Sequence, residues 1–248
     1  MPIKPTLWNP ADQSANVIIR WDRLTVTVLG SRGFARSVDA ISTGKMYVEF
    51  DRDNGTTMPG IASAVSATST YIGQTNESIG LFNGNVYRNS GVVATSSLST
   101  GVIGMAIDAN ARTVEFLTNS VTTGAVSIPW AGAIYLAGGN DAGTFGNVKL
   151  NAGQSSFSWT VPSGFTAGFG QVLTLSFSGT VLDETGTPAA RTVRAYRRST
   201  GELVGEATSD GSTGAYQIYT PFNEYHTLEF LNDDSALNAL VYDWVMPV

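Results

Sequence analysis

The run ISTGKMYVEF, residues 41–50, sets a Ser/Gly turn in front of a stretch in which Met46, Val48 and Phe50 fall on one side and Lys45, Tyr47 and Glu49 on the other. Alternation with a period of two is the signature of a β-strand with one face in the core and the other wet or half-covered. The same pattern recurs on either side of it in LTVTVL (24–29), GIASAV (60–65), VIGMAI (102–107), TVEFL (113–117), AIYLA (133–137) and GNVKLN (146–151). Turn-forming clusters separate these runs: Asp53-Asn54-Gly55, Asn83-Gly84-Asn85, Asp108-Ala109-Asn110-Ala111 and Gly138-Gly139-Asn140-Asp141. Asn83-Gly84, between LF and NVY, is the best hairpin turn among them. Helical periodicity is nearly absent, so the expected fold is antiparallel and all-β.

The stretch VPSGFTAGFG (161–170) closes this first array, and a second array of strand-like runs follows: LTLSFSGTVL, RTVRAY, LVGEATS, AYQIYT, HTLEFL and NALVYDWVMPV. Composition changes at the same place. The chain has 248 residues, with 14 Lys and Arg against 20 Asp and Glu, a net charge of −6. Up to Gly170 ten basic and ten acidic residues cancel, whereas residues 171–248 hold four basic and ten acidic ones. Two domains are therefore expected, 1–170 and an acidic β-sandwich at 171–248. Arg191, Arg194, Arg197 and Arg198 do not share a strand face and lie in an acidic surround, which argues against a phosphate-binding stripe and against nucleic acid as a partner.

Several function classes are excluded by composition. Zero Cys removes disulfides, thiolate catalysis and Cys-containing zinc sites, and His226 stands alone, so no His cluster can hold a metal or relay protons. No apolar run approaches the roughly 18 residues of a membrane-spanning helix. The opening MPIKPTLWNP lacks the apolar core of a signal peptide, so synthesis in the cytoplasm without secretion through that route is expected. Glu49, Asp51 and Asp53 alternate, which on an extended strand puts neighbours about 7 Å apart, a spacing used by inverting glycosidases. A catalytic acid also needs burial, and this trio runs into a turn, so a strand edge and turn are expected in its place. The same run fails as a calcium loop, because Gly comes fifth and Ala62 occupies the twelfth position. Asp183-Glu184 and Asp233-Asp234 read as turn residues. There is no Gly-x-Ser-x-Gly elbow to partner His226 and no Gly-x-Gly-x-x-Gly before a helix. The expectation is a protein that is not an enzyme, with no cofactor and no metal.

ISTGKMYVEF resembles the strand that opens a SPRY domain, and further stretches match that family in order. LFNGNVYRNSG (81–91) is similar to its Gly-rich hairpin, GVIGMAIDANARTVEFLTN (101–119) to its segment of Gly, apolar, Gly, apolar, Asp, turn, apolar-x-Phe and Asn, and VKLNAGQSSFSWTVPSGF (148–165) to its closing Asn-x-Gly-Gln, Phe and Pro-x-Gly-Phe signature. Val48 stands where the family usually has Trp, and Ser120 replaces the Gly of the turn after TVEFL. The opening TLWNPADQSANVIIRWDRLTVT (6–27) resembles the leader of SPRY-like domains encoded by tailed bacteriophages. The stretch 178–218 resembles the transthyretin-like, or carboxypeptidase-regulatory-like, sandwich through Gly179, Val181, Asp183, Gly186, Pro188, Val193, Gly214 and Tyr216. The resemblance implies a SPRY-like bent β-sandwich followed by a small transthyretin/Ig-like β-sandwich. It further implies a non-enzymatic virion protein of a phage tail tip, baseplate or fibre that binds through loops.

On that reading the partners are other phage tail or baseplate proteins and a host cell-surface receptor, protein or glycan. Rotational symmetry of tails makes a homo-oligomer such as a trimer the expected state. The alternative is a bacterial lectin-like attachment protein that binds glycans. Rigid aromatics and adaptable amides in loop-rich stretches supply such contacts. The candidate binding residues are Tyr71, Gln74, Asn76, Glu77, Asn83, Tyr87, Arg88, Asn89, Trp130 and Asn140.

Overall fold

Strand Lys45–Arg52 lies at the centre of an eight-stranded sheet and is buried on both faces. The computed structural model describes residues 3–53, 56–98, 100–141, 143, 145–231 and 239–248. Among these every regular element is a strand, and the chain divides into two compact units, Pro5–Gln171 and Val172–Val248, the latter taking in the first residues up to Lys4. The expected turn residues Asn54, Gly55, Asp233 and Asp234 lie outside the described residues.

In the first unit two sheets stack. One runs Val126–Ser127, Thr113–Leu117, Gly101–Asp108, Lys45–Arg52, Phe145–Asn151, Thr25–Leu29 and Val17–Ile19, with Thr166–Ala167 added alongside Lys45–Arg52. The other runs Gly91–Thr95, Asn85–Arg88, Ser78–Phe82, Thr57–Ala62, Ile134–Asn140, Gly33–Ile41 and Trp8–Gln13. The inward positions are the apolar ones that alternation selects, such as Val26, Val28, Val48, Phe50, Ile61, Leu81, Val86, Met105, Phe116 and Leu136, all with at most traces of exposure. Asn83 and Gly84 take φ of 45° and 80° between paired Phe82 and Asn85, the two left-handed positions a type I′ hairpin needs.

The second face of Lys45–Arg52 departs from the alternation reading. Tyr47 and Glu49 were expected to be wet or half-covered, yet both are buried. The closing segment 153–168 straps over them. Phe157 packs edge-on against Tyr47 with ring centroids 5.1 Å apart. Trp159 Nε1 donates to the Val102 carbonyl at 2.9 Å. Thr166 and Ala167 pair in parallel with Met46 and Tyr47, and Gly168 N donates to Tyr47 O at 2.8 Å. The strap also has its own anchors. Asn151 Oδ1 accepts from Gly153 N, and Gln154 bridges Ala152 N to the Thr6 carbonyl. At Gly104 a side-chain Cβ would fall 2.3 Å from the Tyr47 hydroxyl, so the neighbouring strand leaves room for the ring. On the core side Arg52 continues the Met46, Val48, Phe50 row. It is buried at the sandwich end, donating to the Thr57 and Leu98 carbonyls, and burial pulls its pKa down to about 10.

Gly138-Gly139-Asn140, expected in a turn, instead forms the end of strand Ile134–Asn140 in the middle of the seven-stranded sheet. The glycines permit close approach rather than a reversal. A Cβ on Gly139 would sit 2.2 Å from the Gly33 carbonyl oxygen, and one on Gly138 would sit 2.9 Å from the Trp8 ring. The third strand of this region is Thr57–Ala62 and not 60–65, because it is set by pairing with Ile134–Asn140.

The second unit has a two-stranded sheet, Leu175–Thr180 with Ala215–Thr220, and a four-stranded sheet ordered Leu203–Thr208, Thr192–Arg197, His226–Phe230, Leu240–Val245. Its core is Phe177, Val181, Val193, Ala195, Ile218 and Leu228. His226 is buried in it, with Nδ1 2.7 Å from the Glu224 carbonyl and the ring edge-on to Phe177 at 4.9 Å. The arginines face carboxylates: Arg194 pairs with Glu206 at 2.6 Å, Arg197 with Glu224, and Arg198 with Asp243 at 3.0 Å.

Two outcomes test this packing. Gly139→Ala forces a Cβ into backbone and should destabilise the first unit by about 3 kcal/mol in denaturant unfolding. Asp210 caps a turn, where the Ser212 hydroxyl, then Thr213 N and its hydroxyl, lower its pKa from the ordinary 3.8 to about 2. A carboxylate whose folded pKa is depressed stabilises the fold above its unfolded pKa and loses that effect as pH falls through the folded one. The difference in unfolding midpoint between the chain and Asp210→Ala should therefore shrink as pH drops from 3.8 towards about 2.

Candidate functional site

Segment 63–77 folds down onto the outer face of the seven-stranded sheet and builds a second, smaller core there from Phe34, Met58, Ala62, Ile72 and Ala137. Arg36 holds the segment in place. Its guanidinium forms a bidentate pair with Asp12 at 2.7 and 2.8 Å and donates to the Ser63 and Ser66 carbonyls at 2.9 and 2.6 Å. The far end rests on the hairpin that follows. Gly73 takes φ of 96° with its Cα so close to Tyr87 that a Cβ would meet the Tyr87 carbonyl at 2.4 Å. Ser90 N donates to Gly73 O at 2.9 Å, Asn89 N to Thr75 O at 3.1 Å, and the Ser90 hydroxyl to Gln74 O at 3.0 Å. Asn89 and Ser90 are both left-handed, at 52° and 61°, in the turn between Asn85–Arg88 and Gly91–Thr95.

Where the segment meets the hairpin, Met58, Tyr71, Phe82, Tyr87 and Asp141 line a cleft of about 60 Å³. Phe82 and Tyr87 meet edge-on at 6.1 Å. Arg32 lies 5.2 Å over the Tyr71 ring and pairs through Nε with Asp141 at 2.7 Å. This arrangement offers two half-buried phenols, an aromatic floor and a paired charge at the mouth. At about 60 Å³ it admits only a small group, such as the tip of one side chain. No nucleophile–base pair lies among its lining residues.

The candidate residues sort as follows. Tyr71 and Tyr87 share the cleft, and Gln74, Asn76, Glu77 and Asn89 sit on the two loops that frame it, with Asn76 and Asn89 exposed. Asn83 is exposed in its hairpin turn. Arg88 ties the two sheets, donating to the Ser127 carbonyl at 2.7 Å. Two assignments are corrected. Asn140 is fully buried, because its Gly-Gly neighbourhood is a strand and not a loop. Trp130 is also buried, and its carbonyl accepts from the Arg112 guanidinium, so its ring is not displayed as a surface platform. Sequence reasoning missed Arg32, Met58, Phe82 and Asp141. Phe82 carried a signal, since it precedes Asn83-Gly84, but nothing local pointed Arg32 at Tyr71, which lies 39 positions further along the chain.

The acidic trio separates. Glu49 is 2% exposed and accepts hydrogen bonds from the Tyr47 hydroxyl at 3.1 Å, Ser158 N at 2.8 Å and Trp159 N at 2.7 Å. Burial, reinforced by the adjacent Glu49 carboxylate, pushes the Tyr47 phenol well above its ordinary pKa. Asp51 and Asp53 are exposed, and Asp53 is bonded to the Asn147 backbone and side chain at 2.8 and 2.7 Å. Asn147 continues a polar ladder through Thr27 to Arg20 on the outer face of the eight-stranded sheet. Beside Arg20, Trp21 is 96% exposed. Among the described residues, no group of three or more acidic or His side chains is placed to hold a metal ion, and no helix is long and apolar enough to cross a membrane.

No protein-family model and no curated protein matches the chain. Among solved structures, the PSpry domain of TRIM65 superposes with a TM-score of 0.50 at 12% identity, covering 60% of this chain and 92% of that one. The SPRY domain of human HERC1 gives 0.48 at 19% identity, covering 60% and 99%. Stonustoxin gives 0.46 at 16%, covering 59% of this chain and 27% of its own length. At these identities the likeness concerns fold alone: the chain has an all-β, SPRY-like β-sandwich fold.

Glu49 acts as a clasp for the strap. Glu49→Gln turns an amide NH₂ towards one of the two backbone N–H groups and should cost about 2 kcal/mol. Hydrogen exchange at the Ser158 and Trp159 amides should speed up with it, and unchanged exchange would remove the clasp assignment.

Proposed function

We propose that this chain is a non-enzymatic virion protein of a tailed bacteriophage, part of the tail tip, baseplate or fibre, whose first unit recognises a host-surface molecule or a neighbouring tail protein. The observation that carries the recognition half is the Tyr71–Phe82–Tyr87 cleft with Arg32 and Asp141 at its mouth, presented by loops on a sandwich stiffened from both sides. Side chains of this kind dominate binding energy because they bury much area at little entropic cost. The phage half rests on the resemblance of residues 6–27 to the leader of phage-encoded SPRY-like domains, ahead of the SPRY-like motifs in 41–165, and on that of 178–218 to a transthyretin-like sandwich. On this reading the protein is made in the host cytoplasm, sits in the virion as a homo-oligomer such as a trimer, and uses no cofactor.

A second reading, a bacterial glycan-binding attachment protein, is favoured by one specific feature. The exposed Trp21 next to the Arg20–Thr27–Asn147–Asp53 ladder combines an aromatic platform with polar groups suited to sugar hydroxyls.

Both readings are separated by labelling phage particles for the chain and by measuring binding of the purified full chain to host envelopes and to a glycan array. The double variant Tyr71→Ala and Tyr87→Ala should lose about 2 kcal/mol of binding, roughly a thirtyfold weaker Kd, with little change in far-ultraviolet circular dichroism. Particles without the chain, or wild-type affinity in the double variant, would sink the proposal. Binding lost on Trp21→Ala alone would favour the glycan reading.

A further inference from the structure

The second unit is an incompletely closed sandwich. Its two-stranded sheet covers only part of the four-stranded one, and the uncovered part forms a cleft of about 720 Å³. Tyr216, Phe230 and Tyr242 line it as an edge-to-face series, with centroids 5.5 and 5.6 Å apart, over Leu228 and Leu240. Strand Leu240–Val245 forms one wall. It is the edge of the sheet, with no strand on its outer side among the described residues, and Leu240, Val241, Tyr242 and Trp244 are each more than half exposed.

The edge is blunted at one end only. Trp244 sits at φ 61° beside a register break opposite His226–Leu228, and its ring is stacked by the Arg198 guanidinium at 3.7 Å. A bulge and a bulky left-handed residue twist that end away from further pairing. At the other end Leu240, Val241 and Tyr242 keep an extended backbone in register with Phe230, Glu229 and Leu228.

We propose that this cleft docks an extended segment of another polypeptide, with alternating apolar side chains and Lys or Arg at its flanks, added as a strand along Leu240–Tyr242. The apolar positions would enter over Tyr216, Phe230 and Tyr242, while the main chain would pair with the free edge. Charge selects the partner. Residues 171–248 hold ten acidic against four basic residues, three of those arginines are committed to Glu206, Glu224 and Asp243, and Asp183 and Glu184 stand at the cleft mouth with Arg191. A second copy brings the same acidic excess and is disfavoured, whereas basic flanks are attracted. The inference is independent of the recognition role proposed for the first unit.

The test uses the full chain and a synthetic peptide of alternating valine and threonine with a lysine pair at each end, read by calorimetry at low salt. Saturable one-to-one binding is expected. It should weaken more than tenfold when alternate peptide nitrogens are methylated, when the lysines are replaced by glutamates, and in the chain variant Tyr242→Arg. The methylated and glutamate-flanked peptides leave the protein untouched, so loss of binding with them cannot be a folding defect. Absence of saturable binding, or equal binding of either altered peptide, would overturn the proposal. So would a concentration-dependent dimer of the chain that Tyr242→Arg dissolves, since the occupant would then be a second copy.

Discussion

The buried carboxylate of Glu49, bonded by two consecutive backbone N–H groups and a phenol, is the interaction on which the first unit depends. A charge taken out of water is costly unless fully bonded, and here all its partners belong to one strap or to its own strand. The carboxylate thereby selects a single position for residues 157–159, which in turn cover Tyr47 and seat Trp159 on Val102. A strand buried on both sides at the middle of a sheet then fixes its neighbours: Gly101–Asp108 on one side, and Phe145–Asn151 with Thr166–Ala167 on the other.

The opposite sheet solves the matching problem with a second buried charge. Arg36 spans Asp12 and two carbonyls of segment 63–66, and the rings of Phe34 and Tyr135 flank its guanidinium at 5.9 and 6.0 Å. Planar bidentate geometry makes arginine suited to this role. Part of each outer face is therefore covered by an irregular segment anchored through a buried charged side chain. The candidate recognition cleft opens where one such cap ends, so its aromatics are held by a scaffold while their edges face solvent. Positioning by rigid elements is what allows a loop surface to bind with little ordering cost.

The second unit is stabilised differently. Its core is small, and its arginines lie in exposed or half-exposed pairs of the kind worth little individually. Local turn chemistry, such as the cap at Asp210, supplements it. An incompletely covered sheet is the structural consequence, and the apolar cleft along its edge strand follows from it.

Period-two alternation made the all-β class, most strand positions and the Asn83-Gly84 hairpin legible, because side-chain direction in a strand and left-handed turn geometry are local properties of a few consecutive residues. The closing Asn-x-Gly-Gln, Phe and Pro-x-Gly-Phe signature was legible as a pattern, but its work was not. That Gln154 reaches Thr6 and that the amides of residues 158 and 159 reach Glu49 are contacts across more than a hundred positions. For the same reason Tyr47 and Glu49 were misread as wet or half-covered, Gly138-Gly139-Asn140 as a turn, and Trp130 and Asn140 as contact residues. Alternation states which side a residue faces and leaves open what lies on that side. Burial, and with it the choice between recognition residue and structural plug, was decided only when distant segments packed, since exposure is a property of the whole surface and is written in no single stretch of chain.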